Sequence, residues 1–159
     1  MTNINEKREM SMNTNDILLD TFHLEEGLKQ HPDKVVLIDG EKKYTYAEFL
    51  SQAISYGKEL AARKVRNQAI GILAEHCAET VIMQLGILLS GNYYIALQTE
   101  CTKERLQEIC RIADIKVMAG LAEQIEGMED YLPVQVLPCR AYTLQENLDG
   151  ELDYLKKYR

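Results

Sequence analysis

One stretch, between Ala69 and Gln98, constrains the fold more than any other. An apolar run, Ala69–Leu73, leads into a polar break, Ala74-Glu75-His76-Cys77, then an apolar-periodic segment over 79–90, then Gly91 and a second apolar run, Tyr93–Leu97. The first run is continuous rather than alternating, which is the pattern of a strand covered on both faces. Val81, Leu85, Leu88 and Leu89 recur at helical spacing. Gly91 stands where a helix closes through a residue of positive φ. Strand, helix, strand in that order predicts a βαβ unit joining two buried strands, and a crossover helix makes such strands parallel. The expected class is α/β, a mostly parallel sheet flanked by helices on both faces.

The flanking sequence adds elements to this unit. Residues 16–30 place Ile17, Leu18, Phe22, Leu24 and Leu28 on one helical stripe, with Asn15 or Asp16 available as cap and His31-Pro32-Asp33 as stop. Two short β-prone runs, 35–38 and 42–45, flank Asp39-Gly40, whose residues tolerate positive φ, and so predict an N-terminal β-hairpin. Thr45-Tyr46-Ala47-Glu48 has the form of a capping box, opening a helix to about Lys64 that buries Phe49, Ala53, Tyr56 or Gly57, and Leu60. Residues 102–113 predict a helix with Leu106, Ile109, Cys110 and Ala113 inward, followed by a strand at 116–119. Beyond Gly120 the pattern thins to a short helix over 121–128, a strand at 134–137 between two prolines, and a helix starting at Leu152. Residues 1–15 are polar and aperiodic, expected to be disordered, and 16–159 are expected to form a single domain.

A chain of 159 residues, 46% hydrophobic, can bury one substantial core. Its net charge of −7, without any Lys/Arg cluster, argues against nucleic-acid or anionic-membrane partners, both of which need a basic face. No run is long and apolar enough for a membrane span, and the polar start lacks the apolar core of a signal peptide, so the expected location is cytoplasmic. The four cysteines, Cys77, Cys101, Cys110 and Cys139, form no CxxC pair, so neither a zinc site nor a dithiol redox site is indicated. In a reducing compartment they are free thiols, Cys110 in the core.

Two motifs give the chain a resemblance. Thr45-Tyr46-Ala47-Glu48-Phe49 is similar to a Thr/Ser-Tyr-x-Glu-Leu helix start, and Leu88-Leu89-Ser90-Gly91-Asn92-Tyr93-Tyr94-Ile95-Ala96-Leu97-Gln98 to Leu-Lys-Ala-Gly-x-x-Tyr-x-Pro-Leu-Asp. Both belong to the N-terminal part of adenylate-forming, AMP-binding enzymes, which include peptide-synthetase adenylation domains and acyl-CoA synthetases. Without a gap, that family's Asn-Ser-x-Glu falls on His76-Cys77-Ala78-Glu79 and its Glu-Arg-Leu on Glu104-Arg105-Leu106. Ala96 and Gln98 replace the family's Pro and Asp, and Thr99 and Thr102 its later prolines. The resemblance spans roughly 17–118.

It implies a partial N-terminal subdomain of the adenylate-forming fold, within an enzyme that activates a carboxylate with ATP and magnesium as an acyl-adenylate and passes it to a thiol. The implied partner is the remainder of the parent enzyme, the missing core and C-terminal domain, and an apolar face left bare by its absence would drive self-association. The family's phosphate loop has no counterpart: no two of the nine glycines form GxG, and no GK[ST] follows a strand. The chain stops within an apolar-periodic pattern, as a cut would leave it. Accordingly no catalytic, cofactor-binding or metal residue is assigned, ATP and magnesium are not expected on this chain alone, and the isolated chain is expected to be inactive. A truncated, non-catalytic homologue serving as an interaction module is the alternative. The spacing around Gly91 and Tyr94 favours the peptide-synthetase type over an acyl-CoA synthetase. An unrelated flavodoxin-like domain would need a phosphate-holding loop after the first strand, which Ala74-Glu75-His76-Cys77 is not.

A few other residues invite a chemical reading of their own. Cys77, at a helix start beside His76, is a place where amide dipoles lower a thiol's pKa. The bland alternative is that it replaces the family's capping serine, since neighbours at i and i+1 on a helix do not face each other. Glu75 and Glu79 share a face at i, i+4 and read as partners of the helix dipole rather than an acid/base pair. His23 and His31 lack partners at metal spacing. Tyr93 and Tyr94 read as one core and one interface residue. Lys156-Lys157 and Arg159 form a small solvated basic end.

Overall fold

The computed structural model of the chain describes residues 24–140 and 148–158. The expectations for residues 1–15, for His23 and for the first half of the 16–30 helix lie outside these. Six strands and six helices are described: α1 (Leu24–Gln30), β1 (Val35–Asp39), β2 (Lys42–Thr45), α2 (Tyr46–Ala62), β3 (Ala69–Leu73), α3 (Ala78–Leu89), β4 (Tyr93–Leu97), α4 (Lys103–Ile112), β5 (Val117–Gly120), α5 (Ala122–Ile125), β6 (Gln135–Pro138) and α6 (Leu148–Tyr158). A 3₁₀ turn, Met128–Asp130, precedes β6.

β3 is the axis of a four-stranded, wholly parallel sheet ordered β4-β3-β5-β6. All five of its residues are buried, as its unbroken apolar run requires. Tyr56 and Leu60 of α2 with Met83 and Ile87 of α3 cover one sheet face, against Ile70, Ile72, Val117 and Leu137. Leu106 and Cys110 of α4, with Ile125, Met128 and Leu132, cover the other, against Leu73, Leu97 and Met118. A further layer forms behind α2 and α3, where Leu24 of α1 and Leu155 of α6 meet Leu50, Ile54, Ile82 and Leu85. β1 and β2 stand apart as an antiparallel hairpin turning through Gly40 at φ +57°.

The two motif regions have visible structural work. At Thr45 the capping box closes both ways: the Glu48 amide donates to Thr45 Oγ1 at 3.2 Å, and the Thr45 amide donates to Glu48 Oε2 at 2.8 Å. After α3, Gly91 takes φ +74°, and the Asn92 amide donates back to Ile87 O at 3.2 Å, a left-handed helix closure. Asn92, 5% exposed, then staples three segments: its Oδ1 accepts from the Gln68 amide at 3.0 Å, and its Nδ2 donates to Val65 O at 3.0 Å and Ser90 Oγ at 2.8 Å. Ser90-Gly91-Asn92 thereby fixes where β4 starts beside β3.

Several expectations need correcting. β4 is not a buried strand: among the described strands it pairs on one side only, and Tyr93 and Tyr94 are 52% and 36% exposed, so neither is a core residue. Val81 is exposed: the side of α3 that meets α2 and the sheet runs through Ile82, Met83, Leu85, Gly86 and Leu89, and Val81 lies off it. Phe49 is half-buried, the fully enclosed position beside it going to Leu50. Ile109 and Ala113 are only partly buried beside Leu106 and Cys110. The 121–128 helix is interrupted: α5 stops at Ile125 and the chain turns at Gly127, φ +73°, into the 3₁₀ turn. The last helix begins at Leu148, one turn ahead of Leu152.

Candidate functional site

In an open α/β sheet, ligands settle beyond the carboxyl ends of the strands where neighbouring connections leave in opposite directions. β3 and β5 are such neighbours, since α3 carries the chain from β3 out to β4 and α5 carries it from β5 to β6. The crevice there is framed by the Ala74–Cys77 loop and by Leu121 to Gln124.

Hydrogen bonds between the protein's own groups cross that crevice. The Glu75 carboxylate accepts a hydrogen bond from Gln124 Nε2, bridging the two loops, while Gln124 Oε1 accepts from the Leu121 amide at 3.0 Å. The Glu75 amide donates to Thr80 Oγ1 at 3.2 Å, and the Ala78 amide to Asp39 Oδ2 at 2.9 Å. These are the amides that a phosphate-binding turn leaves free for its ligand. With these two amides taken and a carboxylate between the loops, this turn is not arranged as a phosphate cradle.

The chemically suggestive residues of the sequence are not brought together. Cys77 is the N-cap of α3, but its sulfur makes no capping bond and instead lies 3.4 Å from Thr80 Oγ1. The reading of Cys77 as a substitute capping serine is therefore corrected. A thiol is a weak acceptor, and the carboxylate of Asp39, delivered by the hairpin turn, takes the role instead. His76 is exposed, and among the described residues no hydrogen bond joins it to Cys77. Glu75 turns to Gln124, whereas Glu79 pairs with Lys42 at 3.4 Å, so the two carboxylates serve different partners. Glu79 in turn raises the pKa of the Lys42 ammonium. His31 is exposed just after α1. Among the described residues no group of three or more His, Cys, Asp or Glu is placed to hold a metal, and no described helix is long and apolar enough to cross a membrane.

Cys139, just past β6, carries no sequence signal beyond that of a free thiol. Burial, with smaller contributions from Glu79, Cys77 and Glu59, pushes its thiol up to about 12. It is thus neutral at physiological pH and loses its proton only in strong alkali. Against a free thiol near 8.5, its thiolate fraction at pH 8 should be lower by about a thousandfold. Iodoacetamide labelling read by mass spectrometry should accordingly find Cys139 unmodified at pH 8 after a free thiol has reacted fully. Asp39, Asn92 and Gln124 also escape the sequence reading: each acts across more than 20 residues or through a side-chain amide, and periodicity carries no such signal.

The family model for AMP-binding enzymes matches residues 24–153. The chain belongs to that family. Among curated relatives, gramicidin S synthase 2 of Brevibacillus brevis is 28% identical over 94 residues, 58% of this chain and 2% of that one. The nonribosomal peptide synthetase dtxS1 of Metarhizium robertsii is 30% identical over 117 residues, 73% of this chain and 2% of that one. The chain therefore spans a few per cent of the length of the curated relatives it matches. Among solved structures, VinN superposes with a TM-score of 0.66 at 18% identity, covering 84% of this chain and 35% of VinN. The O-succinylbenzoate coenzyme A synthetase MenE of Bacillus subtilis, in complex with AMP, gives 0.64 at 18%, covering 82% and 32%. The fold is that of adenylate-forming enzyme domains.

Proposed function

We propose that this chain is the N-terminal structural subdomain of an AMP-forming ligase of the peptide-synthetase type, in which a carboxylate attacks the α-phosphate of ATP and the acyl-adenylate is passed to a thiol. The observation that carries its role as scaffold rather than catalyst is the state of the β3–α3 turn: its amides are bonded to Thr80 and Asp39 and its mouth is bridged by Glu75. ATP and magnesium are held by sequence other than the residues described. The exposed edge of β4 with Tyr93 and Tyr94, and the exposed Val36, Ile38 and Val81, support packing against the remainder of a cytoplasmic parent enzyme. In isolation the same surface promotes self-association.

Calorimetric titration of the purified chain with ATP and magnesium, able to detect affinities of about 1 mM, tests the reading together with amino-acid-dependent pyrophosphate exchange. Neither saturable heat nor exchange is expected, and sedimentation should show a dimer or larger species. Saturable nucleotide binding or exchange would overturn the scaffold assignment.

A further inference from the structure

An enclosed space of about 320 Å³ is bounded by the hairpin, α2, α3 and the segments that follow β5 and β6. Its volume is at the lower end of the roughly 300–1,000 Å³ that small-molecule sites occupy. Ile82, 3% exposed, and Leu121 give it an apolar lining. Around that lining stand charges of both signs. Lys42 and Glu79 already neutralise one another across the hairpin side. Arg140 and Glu123 also line the pocket, and among the described residues neither has a hydrogen-bond or ion-pair partner.

We propose that this pocket is a binding site for a small zwitterion, its carboxylate received by Arg140, its ammonium by Glu123, and its apolar body seated on Ile82 and Leu121. Charge balance selects this class. A monoanion would satisfy Arg140 but meet Glu79 and Glu123, and a monocation would meet Lys42 and Arg140. A molecule bearing both charges offers each free group an opposite partner and leaves the Lys42–Glu79 pair intact. The remaining polar lining, Tyr44, Gln52 and Cys139, is uncharged at neutral pH, and burial only strengthens this for the phenol and the thiol. An uncharged apolar body therefore enters without meeting an uncompensated ion. Arg140 and Glu123 are both exposed at the rim, so recognition lies at the mouth and packing lies inside. The inference stands on this pocket alone and holds whether or not the chain scaffolds adenylation.

The test is a backbone-amide NMR titration of the full chain with L-leucine, with 4-methylpentanoate and 3-methylbutylamine as the analogues lacking one charge, each to about 20 mM. Leucine should give saturable shifts centred on Leu121 to Glu123 and Cys139 to Arg140, and each analogue should bind weaker by about tenfold or more. Arg140→Ala and Glu123→Ala should each weaken leucine to the level of the corresponding analogue. Ala122→Trp, which fills the mouth from an exposed position, should abolish binding, while Arg63→Ala at the opposite end of the sheet should change nothing. Absence of saturable shifts with folded protein, equal affinity for leucine and its analogues, or indifference to Arg140→Ala and Glu123→Ala would each overturn the proposal.

Discussion

Replacing Tyr56 by alanine should cost about 4 kcal/mol of folding stability, the range found when a fully buried aromatic is deleted. Tyr56 is 0% exposed and joins α2 to the sheet, its ring lying among Ile70, Ile72 and Val117 in one cluster and its hydroxyl donating to Leu137 O at 2.9 Å. The hydrogen bond reaches the last strand, β6, from a helix 81 residues earlier. Tyr56→Phe keeps the packing and loses only that bond, so about 1 kcal/mol is expected. Urea unfolding of the two variants separates the contributions; equal losses would mean that the hydroxyl, not the ring, holds α2 on the sheet.

The second large effect is at Gly86, and its sign is the informative part. In an exposed helix, Gly→Ala is stabilising by about 1 kcal/mol. At Gly86 an added Cβ would stand 2.6 Å from Ala53 O and 2.9 Å from Tyr56 Cβ, and at Gly57 on the facing helix it would stand 2.8 Å from Gly86 O. The obstacles are backbone and Cβ atoms, which cannot swing aside, so α2 and α3 must move apart. Overpacking of this kind costs about 3 kcal/mol, leaving Gly86→Ala about 2 kcal/mol less stable than the parent after the gain in helix propensity. Thermal unfolding of Gly86→Ala decides the matter: a higher midpoint would show that the helices separate freely.

What the sequence discloses about the fold, and what it withholds, follows from the range of each interaction. β3, α3 and the closure at Gly91 are legible because their signals are local, an apolar run, a helical period and one positive φ. The capping box at Thr45 is equally local and closes as read. β4 reads wrongly because its composition is that of a buried strand, while its exposure depends on which strands stand beside it, and that depends on the order β4-β3-β5-β6. Val81 reads wrongly because α3 is apolar nearly all round, so helical spacing alone does not locate the narrow stripe, Val81, Gln84 and Leu88, that is left outside the buried set. At the candidate site the balance shifts further against the sequence. Ala74-Glu75-His76-Cys77 is recognisable as a loop unlike a phosphate cradle, but the partners of its amides come from Asp39 and Thr80, and that of its carboxylate from Gln124. Nothing in the spacing of those residues announces that they meet.

The Asp39 contact carries a practical consequence for anyone who would excise or transplant this unit. Helix α3 receives its cap from a residue 39 positions upstream, on a hairpin that belongs to neither the four-stranded sheet nor its crossover helices. A graft beginning at α2 would keep every strand of the parallel sheet and still deliver its central crossover with a bare amino end. The smallest transferable piece thus begins before Val35, and swapping the hairpin for a homologous one without an acidic residue at its turn would weaken a helix it never touches in sequence.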